Sequence, residues 1–180
     1  MKKTYRIKVK LLSPLHINGG VAADSTRITV KTGGKSYIPA TLFKGLVRSN
    51  FRQLMKTFQP DYDLTDYFFG KEGFQRSRII FENLETKQEL VTELRTNVSV
   101  NRYLRCKADS ALVNTEVISC FDKEKNNVVF EGTITAFYTP EEMAGYDRFL
   151  LEAIGMIDNI GLGKSRGLGF VEVNAVVEES

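Results

Sequence analysis

The strongest constraint on the fold is the order in which the hydrophobic period changes along the chain. Tyr5, Ile7, Val9 and Leu11 alternate with Arg6, Lys8 and Lys10, which predicts a strand with one buried face. Phe43, Leu46, Val47, Phe51, Leu54, Met55 and Phe58 then recur at helical spacing, predicting a helix over 41–58 behind Pro39. Leu64 to Phe69 reads as a short helix ended by Gly70, and Arg78 to Leu84 as a strand. Residues 90–100, 112–120 and 128–137 are rich in β-branched and aromatic residues, with a turn at Lys125-Asn126-Asn127. Thr139-Pro140-Glu141-Glu142 has the composition of a helix start, and Met143, Phe149, Leu150, Ala153, Ile154 and Ile157 give that helix its apolar stripe. Phe170 to Val177 closes the chain as a strand. The order strand, helix, strands, helix, strand predicts an α+β, ferredoxin-like β-α-β-β-α-β unit of the RRM-like kind with extra β material between its halves.

A chain of 180 residues suits one such domain with insertions, expected over 1–180. No apolar run approaches the ~18 residues of a membrane span, and Met1 to Tyr5 opens directly into strand alternation rather than a signal peptide, so a cytoplasmic protein without membrane contact is expected. Cys106, Cys120 and the single histidine, His16, cannot assemble a zinc site of the usual spacing. The two cysteines read as free thiols, with a disulfide as the alternative. Charge is distributed unevenly. Met1 to Lys56 holds twelve Lys or Arg against one acid, Asp24, whereas Thr57 to Ser180 holds thirteen basic and twenty-one acidic residues. The basic half suggests a polyanionic partner, with nucleic acid the natural candidate.

The stretch Gly161-Leu162-Gly163-Lys164-Ser165-Arg166-Gly167-Leu168-Gly169 resembles the end of a phosphate-binding P-loop but fails its requirements. Asp158 stands where the first glycine is needed, and a helix precedes the loop where a strand should. Two basic stretches accompany it. Lys44, Arg48 and Arg52 fall at i, i+4 and i+8 on one side of the first helix, and Arg95, Arg102, Arg105 and Lys107 surround Tyr103 in what reads as a protruding basic loop.

Taken together, several stretches resemble the RAMP superfamily of CRISPR ribonucleoprotein complexes, and more narrowly the backbone subunits of type III effector complexes. The residues that carry the likeness are Ser13 to Gly20, Asp24 to Ile28, Tyr37 to Ser49, Leu94 to Arg102 with Ala111 to Val117, and Gly161 to Val173. The resemblance implies a palm of the ferredoxin-like kind, a thumb-like β-hairpin inserted at about 93–118, and a glycine-rich loop lying along guide RNA beside the first strand. Backbone N–H groups of Gly161 and Gly163 would approach phosphates, with Ser165 beside them and Lys164 and Arg166 neutralising charge. Gly19 and Gly20 would serve the same guide. Thr41, Lys44 and Arg48 match guide-contacting positions and Arg52 extends that row, although Ala40, Thr41 and Leu42 stand where the family often has glycine and serines. Arg95, Arg102 and Arg105 of the thumb would grip backbone, while Tyr103 or Leu104 wedges against a base.

Asp24 matches the loop aspartate with which cutting members cleave target RNA, acting with Mg²⁺ or another divalent cation completed by RNA phosphates. Its alternatives are satisfying nearby N–H groups or pairing with Arg27. His16 reads as a packing residue or RNA contact in preference to a general base. The expected function is a guide-RNA-binding subunit that cleaves complementary single-stranded RNA, assembled with copies of itself or paralogous RAMP subunits and with the large and small subunits of the complex. A noncatalytic scaffold or cap of the same complex is the alternative. A stand-alone guide-processing endonuclease would need two ferredoxin-like units, and a nucleotide-hydrolysing enzyme a working P-loop.

Overall fold

The computed structural model describes residues 1–58, 64–73, 75–101, 103 and 106–178. In chain order these form β1 (Lys2–Leu11), β2 (Asn18–Val21), β3 (Arg27–Thr29), the small hairpin β4 (Lys31–Thr32) and β5 (Lys35–Ser36), then α1 (Ala40–Phe58) and α2 (Thr65–Phe69). There follow β6 (Ile79–Phe81), β7 (Leu90–Asn101), β8 (Cys106–Asp122), β9 (Val129–Phe137), α3 (Pro140–Gly155), a 3₁₀ turn at Lys164–Arg166, and β10 (Val171–Glu178).

The fold is mixed α+β. One sheet has the order β10-β1-β9-β6 with every neighbouring pair antiparallel, which is consistent with a ferredoxin-like arrangement. The alternation in β1 decides which face is covered: Tyr5, Ile7, Val9 and Leu11 are fully buried. Against them lie Phe43, Val47, Phe51 and Met55 of α1, spaced by four, and Leu150, Ala153 and Ile154 of α3. Each such side chain contributes about 1.5–3 kcal/mol on burial. Asn50 of α1 donates to the Ala153 carbonyl at 3.0 Å and ties the two helices. Phe68 and Phe69 of α2 pack on Phe51 with ring centroids 5.9 and 5.4 Å away. Phe58, at the end of the predicted stripe, lies outside the core and rests on Phe149.

The start of α3 is held by a complete capping box. Thr139 Oγ1 accepts the Glu142 N–H at 3.3 Å, and Glu142 Oε2 accepts the Thr139 N–H at 2.7 Å. No acid sits in the first turn of α1, whose Ala40 N–H is taken instead by Asn83 Oδ1 at 2.8 Å.

The opposite face of this sheet carries charge. Arg6, Lys8 and Lys10 of β1 pair with Glu178, Glu131 and Glu172 on the two flanking strands. It offers a ladder of paired charges instead of the aromatic platform by which an RRM-like sheet stacks bases.

The second sheet has the order β2-β3-β8-β7. Its long hairpin β7–β8 covers the stretch of about 93–118 and extends past it at both ends. Arg95, read from sequence as part of a loop, is a paired strand residue opposite Thr115. Period-two patterning is weak here because the hairpin has little buried face: Leu94, Val98 and Leu112 are exposed. Arg102, Leu104 and Arg105 lie outside the described residues, as does the Cys106 side chain; Cys120 is a free thiol.

Candidate nucleic-acid interface

The glycine-rich loop is fastened to the segment after β1 by backbone hydrogen bonds. The Leu162 N–H donates to the His16 carbonyl at 2.9 Å, the Gly169 N–H to the Pro14 carbonyl at 2.8 Å, and the Leu12 N–H to the Phe170 carbonyl at 2.9 Å. Gly161 is required for this approach: its φ is +84°, and a Cβ there would lie 2.3 Å from the His16 carbonyl oxygen. Its freedom is thus used for contact between backbones. Lys164, Ser165 and Arg166 form an exposed 3₁₀ turn. Lys164 pairs with Asp158 at 3.1 Å, so the residue that breaks the P-loop pattern also holds the loop's lysine.

Below this loop lies His16, only 2% exposed. Its Nδ1 is 2.8 Å from the Glu116 carbonyl and 3.2 Å from Thr29 Oγ1. A carbonyl only accepts, so Nδ1 carries the proton, and in the neutral ring Nε2 is an acceptor. Nε2 is buried and has no hydrogen-bond partner among the described residues. A buried polar atom left in that state costs about 1–3 kcal/mol and calls for an explanation.

His16 lines a cavity of about 90 Å³ together with Arg27, Arg95, Thr115, Gly163 and Arg166. The sheet builds one wall. Arg27 of β3 and Arg95 of β7 are both register partners of Thr115 on β8, so the three stand side by side on one face. The glycine-rich loop adds Arg166 from the other side. None of the three arginines has an ion-pair partner among the described residues. Arg27 is the residue that sequence reading missed as a contact; it had been considered only as a partner for Asp24, and no such pair forms among the described residues.

A second, more open cleft of about 550 Å³ adjoins this one through Leu162 and is lined by Ile17, Asn18, Pro39, Thr41 and Leu42. Lys44, one turn further along α1, is half-buried and has no ion pair among the described residues; burial, then Arg48, holds its amine below the usual lysine range. The rest of the predicted basic row is engaged. Arg48 and Arg52 both reach Asp66 of α2, at 2.6 and 3.2 Å. Gly19 packs on the Val30 backbone, while Gly20 faces open space. Tyr103, at the hairpin tip, is 97% exposed.

Asp24 is an exposed loop residue, with Oδ1 accepting the Thr26 N–H and Oδ2 the Thr26 hydroxyl, both at 3.0 Å. These bonds hold its carboxyl below the usual range, so it is ionised at neutral pH. No group of three His, Cys, Asp or Glu able to hold a metal occurs among the described residues. One carboxylate already bonded on both oxygens does not make a resident divalent site. A larger cavity, about 840 Å³, lies elsewhere, where Lys8, Lys35 and Lys87 face Glu85 and Glu131, and no site residue predicted from sequence lines it.

The glycine-rich loop and the β7–β8 hairpin thus meet around one cationic cavity, with the start of α1 on the adjoining cleft, and the sequence model of the RAMP superfamily matches residues 8–172. The chain belongs to the RAMP superfamily. Membership points to a CRISPR-associated subunit and implies a multi-subunit, RNA-binding complex. The search of curated proteins returned no significant match. Among the described residues of this RAMP protein, no helix is long and apolar enough to cross a membrane.

Proposed function

We propose that this RAMP protein is a guide-RNA-binding backbone subunit of a type III CRISPR effector complex, lined up along the guide with neighbouring RAMP subunits, with Asp24 serving cleavage of complementary target RNA. The observation that carries the RNA-binding part is the cavity beneath the glycine-rich loop, lined by three arginines that have no ion-pair partner among the described residues. Its volume of about 90 Å³ leaves room for a phosphate group beside the arginines. The adjoining cleft of about 550 Å³ is within the ~300–1,000 Å³ typical of ligand sites, and its Ile17, Pro39 and Leu42 offer apolar surface to a base. Thr41 and Lys44 at the head of α1 add a hydroxyl and a cation along the same path. The β7–β8 hairpin, with Tyr103 at its tip, has the form expected of the thumb.

The cleavage part rests on Asp24, an ionised carboxylate three residues before Arg27 of the cavity. The chain's own groups orient it through Thr26; a divalent ion, which would supply charge at the scissile phosphate, would need further ligands from RNA. The rival reading, a noncatalytic scaffold or cap, is favoured by the lack, among the described residues, of any group of three His, Cys, Asp or Glu able to hold a metal. The deciding experiment is target cleavage by the assembled complex, comparing wild type with Asp24→Ala in Mg²⁺ and in EDTA. Loss of cuts with guide and target binding intact assigns cleavage to Asp24. Cuts that persist unchanged make the chain a scaffold at those sites.

A further inference from the structure

The cavity beneath the loop presents two demands that neither a phosphodiester nor a water satisfies alone. Arg27, Arg95 and Arg166 present N–H donors and positive charge. His16 lines the same cavity and offers the reverse: in its neutral ring, with Nδ1–H committed to the Glu116 carbonyl, Nε2 is a buried acceptor without a partner among the described residues. A phosphodiester consists of acceptors alone, so it would meet the arginines and leave Nε2 unsatisfied. Water would satisfy Nε2 and leave the guanidinium charge uncompensated. A ribonucleotide brings both complements at a fixed separation, because its 2′-hydroxyl is a donor on the carbon next to the one bearing the 3′-phosphodiester.

Building on the RNA-binding reading, we infer that this cavity recognises the 2′-hydroxyl of one bound ribonucleotide, which donates to His16 Nε2 while Arg27, Arg95 and Arg166 hold the adjacent 3′-phosphodiester. The site then selects RNA over DNA at this position by completing a hydrogen bond that only ribose can make. The cavity's small volume agrees, since it admits the phosphate and the sugar edge and leaves the base to the cleft beyond Leu162. Thr29 supports the arrangement: its hydroxyl donates to the Glu116 carbonyl at 3.0 Å, steadying the acceptor on which the ring's orientation depends.

The test uses the full chain and one mixed-sequence single-stranded oligonucleotide made in ribose, 2′-fluoro and deoxyribose forms. The 2′-fluoro form keeps a ribose-like sugar pucker but has no donor. Wild-type protein is expected to bind it about two- to tenfold more weakly than the ribose form, the size of one hydrogen bond to a neutral acceptor. Arg27→Gln and Arg95→Gln are expected to weaken all forms by about tenfold or more and to flatten the salt dependence. His16→Phe should bring the ribose and 2′-fluoro affinities together; should that variant fail to fold, the wild-type comparison still decides. Equal wild-type affinity for the two forms, with Arg27→Gln still weakening both, overturns the hydroxyl assignment and leaves RNA binding intact. Failure to bind any form overturns both readings.

Discussion

Gly161→Ala places a methyl group where the backbone before β2 already lies. The new Cβ would stand 2.3 Å from the His16 carbonyl oxygen and 3.2 Å from Leu15 Cδ1, at a φ of +84°. The left-handed conformation alone costs a non-glycine residue about 1–2 kcal/mol. Because the obstructing atom is backbone, relief requires the loop to withdraw, which breaks the 2.9 Å bond from the Leu162 N–H to that carbonyl and costs about 1 kcal/mol more. Together these give a loss of about 2–3 kcal/mol. Gly167→Ala is the control. Its φ is +75° and nothing lies within 4 Å of the added Cβ, so only the conformational cost of about 1–2 kcal/mol applies. Urea denaturation of both variants, at unchanged slope, measures the difference. RNA affinity should fall further for Gly161→Ala, because withdrawing the loop displaces Leu162 from the rim of both cavities. Equal destabilisation by the two substitutions would refute the claim that Gly161 is there for backbone contact.

Thr139→Ala removes the capping box of α3 and should cost about 1 kcal/mol in denaturant unfolding. Asp66→Asn removes the carboxylate that holds Arg48; RNA affinity should rise a few-fold and its salt dependence steepen, and an unchanged salt slope would remove Arg48 from the interface. Glu116 gives a pH test. Burial opposes its charge, but Lys31 and the Thr29 N–H outweigh that and hold its carboxyl below the usual range. A depressed folded value means that its contribution is present above the unfolded-state value and is lost as pH falls through the folded one. The stability gap between wild type and Glu116→Gln should therefore close between about pH 5 and pH 3, followed by thermal melting.

Where a signal was local, the sequence carried it. The period of β1 named its four buried residues, the stripe of α1 named Phe43, Val47, Phe51 and Met55, and Thr139 with Glu142 marked the start of α3. The glycine-rich loop was also legible, although its main glycine serves packing on His16 in addition to any approach to phosphate. What remained hidden depends on register between distant strands. Arg27, Thr115 and Arg95 come together only because β3 and β7 flank β8 at one position. No spacing along the chain encodes that alignment, and a three-residue strand such as β3 is too short to show a period. The orphaned Nε2 of His16 is hidden for the same reason, since its assignment as acceptor follows from a carbonyl one hundred residues away.

Charge composition required the structure for its interpretation. The basic excess up to Lys56 suggested a surface built for an anion, yet among the described residues seven of those twelve side chains pair with acids that follow Lys56. Lys3 reaches Asp147, Arg6 Glu178, Lys8 Glu131, Lys10 Glu172 and Lys31 Glu116, while Arg48 and Arg52 share Asp66. A basic half and an acidic half therefore fold largely into each other. A polyanion gains most where cations lack an internal partner, because there it displaces only counterions and water, whereas at a paired site it must also compete with a carboxylate. Among the described residues, Arg27, Arg95 and Arg166 meet that condition at one cavity, and Lys44 meets it on α1 near the neighbouring cleft. The proposed interface therefore follows the positive charge that folding leaves uncompensated, not the stretch where positive charge is densest in the sequence.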